Sequence, residues 1–168
     1  IYGNLAVAYS TSLSFLYGGS IMFFSNLLPI IILSLLAFII NLAREIIKGI
    51  PDIVGDIARN IKTIANTKGA DFASKIAFYL VLLAIILSFI PYILRLFNIF
   101  SLLIILIADF IFINYSYKTY VNPEKEVAYK TKQYFLLGMF IALIGFLIGV
   151  SYESVSYTHL TLPTNREV

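Results

Sequence analysis

The chain has 168 residues, of which 60% are hydrophobic, 12% are charged and none is cysteine. This balance excludes a soluble globular domain, a disulfide-stabilised fold and a thiolate metal site. The net charge of +3 forms no basic stripe on a soluble surface, which argues against nucleic-acid binding. The composition predicts an all-α, polytopic bundle of transmembrane helices.

Five apolar segments approach the roughly 20 residues that a helix needs to cross the hydrocarbon core. They are residues 4–19, 23–42, 76–93, 97–117 and 134–150. The first is shorter and more polar than the others, with hydroxyl side chains between Tyr9 and Ser14. Pro29 lies inside the second segment, and we expect it to kink that helix or to lie in its first turns.

Lysine and arginine are concentrated in alternate connections between the spans. The connection of residues 41–75 carries six, the connection after the fourth span carries four, and the third connection has only Arg95. Since basic residues favour the cytoplasmic side, the 41–75 connection is predicted to be cytoplasmic in a multi-pass protein of the cell membrane. Tyr115, Tyr117 and Tyr120 are expected to lie in an aromatic belt at the membrane interface.

The two ends of the chain do not resemble the natural termini of a membrane protein. The chain begins at Ile1 and enters a helix almost at once, and residues 155–164 resemble the translated read-through of a sequencing-library adapter. We therefore expect residues 1–153 to be part of a larger membrane protein and residues 154–168 to be a non-native tail. The one histidine, His159, falls in that tail and is given no catalytic or metal role.

An ionisable cluster lies where the second span leaves the bilayer, and the membrane selects against such groups among its apolar residues. Asp52 and Asp56 are four residues apart, so a helix would place them on one face. Two such carboxylates suit magnesium, which completes its shell with water and substrate phosphates. Lys48, Arg59 and Lys62 are placed to contact the remaining phosphate oxygens. The spacing alone is a low-information pattern, and a solvated loop with weak exposed ion pairs explains it at least as well.

The helix around these aspartates has two possible forms. A continuous helix would align five side chains on one face: Asn41, Glu45, Lys48, Asp52 and Asp56. Gly49 and Pro51 argue against such continuity. In the other form, the span helix ends near Gly49 and a short helix restarts with Pro51 at its first position.

Asp109 lies within the fourth span. A buried acid there costs about 2.5–3.5 kcal/mol on insertion scales, so Asp109 should face the bundle interior. It either contacts a cavity of the bundle or forms an interhelical hydrogen bond to Asn114 or a hydroxyl group. The polar patch between Tyr9 and Ser14 either lines an acceptor pocket or holds helices together.

The aspartate region resembles the second aspartate-rich motif of the UbiA superfamily of membrane prenyltransferases. The likeness is carried by residues 41–48, Asp52, Gly55, Asp56, Lys62 and Thr63. Residues 3–8 and 15–18 are similar to the digeranylgeranylglyceryl phosphate synthase branch in particular. The resemblance covers about residues 1–150, and the sequence departs from the common motif at Gly49 and Pro51.

The resemblance implies a fold of nine helices around a cavity that opens to the membrane. The five spans would correspond to the fifth through ninth family helices. A first motif of the N-D-x-x-D type belongs near the second family helix, and no such string occurs in this sequence. The missing amino-terminal helices would hold half of the metal site, so the chain alone should lack activity.

The resemblance also implies a reaction. With Mg²⁺, a geranylgeranyl group would move from its diphosphate to a hydroxyl of the lipid-like acceptor geranylgeranylglyceryl phosphate, in ether-lipid synthesis among the membrane lipids. The implied catalytic residues are Asp52 and Asp56, which also bind the metal, and Lys48. The implied diphosphate contacts are Lys48, Arg59 and Lys62. The motif residues without a defined role are Asn41, Arg44 and Glu45.

Two alternatives stay open at this stage. One is a UbiA-type aromatic prenyltransferase of quinone or chlorophyll biosynthesis. The other is a membrane transporter or structural subunit, without enzymatic activity, in which residues 41–75 are only a cytoplasmic connector.

Overall fold

The computed structural model describes the backbone of residues 2–22 and 27–160 and the side chains of residues 3–21 and 27–149. The described helices are α1 (Tyr2–Met22), α2 (Leu28–Lys48), α3 (Ile53–Ala58), α4 (Ile64–Lys68), α5 (Ala70–Ser88), α6 (Ile90–Ile93), α7 (Ile99–Val121) and α8 (Lys125–Leu160). Four segments in these ranges are long and apolar enough to cross a membrane: Leu28–Lys48, Ala70–Ile93, Ile99–Val121 and Lys125–Gly149. The protein is an all-α, multi-pass membrane protein.

The first predicted span is the helix α1, which is as long as α2 but less hydrophobic and is not among these four segments. α1 has 21 residues, which corresponds to about 30 Å. It packs along α2, where the Ser34 hydroxyl donates a hydrogen bond of 2.8 Å to the carbonyl of Ser12. The hydroxyls of the predicted polar patch donate to carbonyls of α1 itself, as Ser12 does to Tyr9 at 2.8 Å, and Thr11 also lines a cavity of the bundle. Residues 23–26, predicted to begin the second span, lie outside the described residues.

Proline positions agree with the helix boundaries. Pro29 is in the first turn of α2, as one of the two predicted outcomes required. Pro91 is in the first turn of the short helix α6, which extends the span of α5 after an interruption at Phe89. Pro123 lies between α7, which ends at Val121, and α8, which starts at Lys125. Residues 161–168 of the predicted tail lie outside the described residues, and the boundary at residue 154 stays a prediction.

Small side chains allow the span helices to approach one another closely. Ala73, Ala77 and Ala84 form a buried stripe on α5, which packs against α2 and α7. On α8, a Cβ added to Gly138 would lie 2.6 Å from the ring of Phe112 on α7. Close packing of small residues is the usual basis of helix association in lipid, where burial of apolar surface gives no net gain.

Candidate functional site

The second span helix is interrupted where the predicted site begins. α2 ends at Lys48, residues 49–52 form a turn, and α3 begins with Asp52 as its N-cap. Gly49 lies beside α4, because a Cβ built on it would be 3.5 Å from the Cβ of Ala65, an ordinary van der Waals distance. The continuous-helix prediction is therefore wrong and the interrupted form is confirmed. Pro51 precedes the N-cap, so its predicted place as the first helical residue is also wrong.

Asp52 and Asp56 are one helical turn apart. The backbone N–H of Asp56 donates a 2.8 Å hydrogen bond to the carbonyl of Asp52, which places both side chains on one side of α3. Asp52 is exposed and Asp56 is partly exposed. Within residues 3–21 and 27–149, neither carboxylate has a hydrogen bond or an ion pair. Their oxygens are therefore available to a ligand.

The end of α3 is fixed by a left-handed turn. Asn60 has a φ of 59°, and the N–H of Ile61 donates a 2.8 Å hydrogen bond to the carbonyl of Asp56. This is the Schellman arrangement that commonly ends helices, and asparagine tolerates the left-handed conformation better than most residues. The turn directs the chain away from α3 immediately after Arg59, which is exposed at the helix C-cap.

Lys62 lies on the loop between α3 and α4, next to a helix cap. Thr63 Oγ1 accepts a 3.3 Å hydrogen bond from the N–H of Asn66, and Asn66 Oδ1 accepts a 2.9 Å bond from the N–H of Thr63. This reciprocal pair is a capping box at the start of α4. The threonine of the Lys62-Thr63 pair therefore has a structural function, which is to hold the loop that presents Lys62.

The three residues Arg44, Glu45 and Lys48, here called the Glu45 cluster, are held together by ion pairs. Glu45 is buried, with a relative exposure of 6%. Its Oε1 is 3.0 Å from Nη1 of Arg44 and its Oε2 is 3.2 Å from Nζ of Lys48. Arg44 Nε is buried and has no hydrogen-bond partner among the described residues. The sequence left the function of Glu45 open, and the structure shows that it fixes two cations at the end of α2.

An apolar cavity of about 240 Å³ lies inside the bundle, beside the part of α2 that precedes this charged end. Five helices contribute to its wall: α1, α2, α5, α7 and α8. Its polar lining residues are Thr11, Asn41, Ser88 and Asp109. Asn41 lies seven residues before Lys48, or about 10 Å along the axis of α2. The same helix thus carries the Glu45 cluster and one wall of the cavity.

Asp109 faces the bundle interior, as predicted. Its relative exposure is 9%, and the Ser88 hydroxyl donates a 2.8 Å hydrogen bond to Asp109 Oδ2. The predicted hydrogen bond to a hydroxyl on another helix is confirmed, and the alternative of a cavity contact is confirmed as well. Sequence reasoning missed Ser88, because a single serine inside an apolar helix carries no signal of its own.

Within the described residues, no group of three or more histidine, cysteine or acidic side chains gathers as a metal site. Asp52 and Asp56 are two carboxylate donors, which is the number that magnesium commonly takes from a protein. The donor set therefore fits magnesium if water and phosphate oxygens complete the shell.

Comparison with known proteins identifies the family. Residues 1–144 match the model of the UbiA prenyltransferase family. The chain belongs to this family. Similar curated proteins include the digeranylgeranylglyceryl phosphate synthases of Saccharolobus solfataricus and Methanosphaera stadtmanae, each 40% identical over 88% of this chain. The enzyme of the same name from Methanocaldococcus jannaschii is 35% identical over 88% of the chain.

A solved structure concerning digeranylgeranylglyceryl phosphate synthase in membranes has the same arrangement of helices. Its TM-score is 0.83 at 34% sequence identity, and the match covers 89% of this chain and 52% of that one. The chain of this UbiA family member spans about half the length of the curated relatives that it matches, with 52% of the Saccharolobus protein and 53% of the Methanosphaera protein covered.

Proposed function

We propose that this chain is the carboxyl-terminal part of a magnesium-dependent intramembrane prenyltransferase. The reaction transfers a geranylgeranyl group from its diphosphate to a hydroxyl of geranylgeranylglyceryl phosphate, in ether-lipid synthesis. Relatives named digeranylgeranylglyceryl phosphate synthase support the substrates. One observation carries the proposal: α2 lines an apolar cavity and, about 10 Å further along its axis, carries the Glu45 cluster, which is followed by Asp52 and Asp56, whose carboxylates are unpaired within the described residues. A lipid diphosphate has the same two halves.

The charged half binds the diphosphate. Asp52 and Asp56 would hold magnesium, which would supply positive charge to the diphosphate leaving group. Lys48, Arg59 and Lys62 contact the phosphate oxygens that the metal leaves free. Because Glu45 neutralises part of the charge of Arg44 and Lys48, the Glu45 cluster keeps a net positive charge at a fixed place. This charge is preorganised, so it needs no rearrangement when the leaving group becomes more negative.

The apolar half holds the prenyl chain. Leu36, Ala37 and Ile40 on α2 lead from Asn41 into the cavity, so the hydrocarbon is buried while the diphosphate stays at the charged end. In the reaction the bond between C1 and the diphosphate oxygen breaks, and the acceptor oxygen forms a bond to C1. The hydroxyl proton leaves to water or to a phosphate oxygen. Apolar walls exclude water from C1, which protects the allylic centre from hydrolysis.

We propose further that amino-terminal helices outside this chain supply the first aspartate motif and the rest of the cavity wall. Under this proposal the 41–75 connection faces the cytoplasm, and the 168-residue chain alone transfers no prenyl group. The complete protein would then carry two acidic motifs, and both would contribute carboxylates to the metal site.

The decisive experiment measures transfer by the full-length protein in membranes, with magnesium, geranylgeranyl diphosphate and geranylgeranylglyceryl phosphate. We expect Asp52→Ala and Asp56→Ala each to lower kcat by at least about 100-fold, the usual scale for losing one electrostatic contact to a transition state. Asp71→Ala is the matched control, since Asp71 is an exposed acid on α5 that pairs with Lys75 and lies outside the site. Near-normal turnover of both site variants would overturn the metal-binding role, and transfer to an aromatic acceptor instead would overturn the acceptor assignment.

A further inference from the structure

The cavity contains a polar pair far from the charged end. Asp109 on α7 and Ser88 on α5 both line the cavity, and their side chains are hydrogen-bonded at 2.8 Å. Only Oδ2 of the carboxyl group takes part in this bond. Among the described residues, nothing is hydrogen-bonded to Asp109 Oδ1, although the side chain is nine-tenths buried. A polar oxygen therefore faces a space with mostly apolar walls.

The depth of this pair can be estimated from helix geometry. Asp109 lies 12 residues before Val121, the end of α7 on the side of the site, which is about 18 Å along the axis. On α2, Asn41 is about 10 Å and Leu33 about 22 Å from Lys48. Along α7, Asp109 therefore lies near the middle of the cavity, between Phe112 and Ile105, too deep to contact a diphosphate held by Lys48.

A hydrocarbon chain interacts unfavourably with such a group. The free oxygen of Asp109 can hold a water molecule, and displacing it with a methyl group leaves a buried acceptor without a partner. The rest of the wall, such as Ile105 and Phe146, accepts hydrocarbon without this cost. The prenyl chain is therefore bound most favourably when its end stops short of Asp109.

We infer that Asp109, oriented by Ser88, is a polar stop that sets the maximum length of the prenyl chain. The inference rests on the proposed prenyltransferase function. It assigns a specificity role to a residue outside the motif, and it requires no contact with the reacting atoms.

The test compares prenyl diphosphates in competition, using the full-length protein in membranes. Asp109→Leu keeps the branched skeleton of the side chain but removes the polar group, and we expect the ratio of kcat/KM for geranylfarnesyl over geranylgeranyl diphosphate to rise about tenfold. Asp109→Asn keeps a polar group in nearly the same volume and should keep the wild-type ratio. A wild-type ratio in an active leucine variant would overturn the inference, as would an equal shift in the asparagine variant.

A second variant tests the same idea without removing Asp109. Gly138 packs against Phe112 and Gly145 against Ile105, so Met139 lies on the charged side of Asp109. Met139→Gln places a polar group of similar size there, and it should raise the preference for farnesyl over geranylgeranyl diphosphate about tenfold. An unchanged preference would contradict the inference even if Asp109→Leu failed to fold.

The control is Ser34→Ala, which removes a buried interhelical hydroxyl that does not line the cavity. It should leave the chain-length ratio unchanged, and a shift as large as that of Asp109→Leu would show that loose helix packing is the cause. Absence of any transfer by the wild-type protein would overturn the proposed function. Transfer with an unchanged chain-length profile in both test variants would overturn only the polar stop.

Discussion

Glu45 shows how one residue at the end of a span can organise its neighbours. A buried carboxylate is costly unless it is paired, and here it is paired with Arg44 and Lys48 at 3.0 and 3.2 Å. Removing the carboxylate would leave two cations close together near the membrane, with the buried Nε of Arg44 already lacking a partner among the described residues. Glu45 is therefore important both to stability and to the position of Lys48.

We predict that Glu45→Ala lowers the free energy of unfolding by about 3–5 kcal/mol, the usual cost of breaking a buried ion pair from one side. The measurement is unfolding of the chain in detergent micelles, followed by far-UV circular dichroism. Asp71→Ala is the control, because it breaks the exposed Asp71–Lys75 pair and should cost much less. Equal effects of the two substitutions would show that burial of Glu45 does not matter.

At the scale of elements, the short helices α3 and α4 position the site without crossing the membrane. α3 has six residues and α4 has five, so neither is stable by itself. Their ends are fixed by local hydrogen bonds, namely the Schellman turn at Asn60 and the capping box of Thr63 with Asn66. These caps determine where Lys62 is presented relative to the aspartates.

We predict that Thr63→Ala weakens α4 by about 1 kcal/mol, because the capping oxygen is lost. Amide hydrogen exchange in residues 61–68, measured by mass spectrometry in micelles, should become roughly fivefold faster. Thr63→Ser keeps the oxygen and should exchange like the wild-type protein. If the serine variant is as fast as the alanine variant, the effect comes from the lost methyl group and not from the cap.

At the scale of the whole molecule, the charges are strongly asymmetric. The site end carries nearly all basic side chains of the described residues, whereas the connection between α6 and α7 carries only Arg95. Short connections make successive spans antiparallel, so the ends of α2 and α7 and the starts of α5 and α8 share one side. The preference of basic residues for the cytoplasmic side predicts that this side faces the cytoplasm.

This orientation predicts a labelling pattern. Because the chain has no cysteine, single cysteines can be introduced at exposed positions without interference. With a membrane-impermeant maleimide, Ala58→Cys should react only in inverted vesicles and Leu94→Cys only in intact spheroplasts. The opposite pattern would reverse the orientation. Labelling of both positions from one side would contradict the single crossing that α5 and α6 form together.

The sequence by itself determined that this is a helical membrane protein with a charged site after its second span. The length of the apolar segments, the distribution of basic residues and the spacing of Asp52 and Asp56 are local properties, so they can be recognised in the linear sequence. The chemistry of proline alone limited Pro29 to two outcomes, a kink in the helix or a position in its first turn.

Only the tertiary structure decided which residues meet. The pairing of Ser88 with Asp109, the common cavity of Asn41 and Asp109, and the contact of Gly49 with α4 join segments far apart in sequence. Single serines, alanines and glycines carry no signal of such contacts, because their partners depend on how the helices pack. The charged end of α2 can be predicted from the sequence. The apolar cavity cannot, because it forms only when five helices pack together.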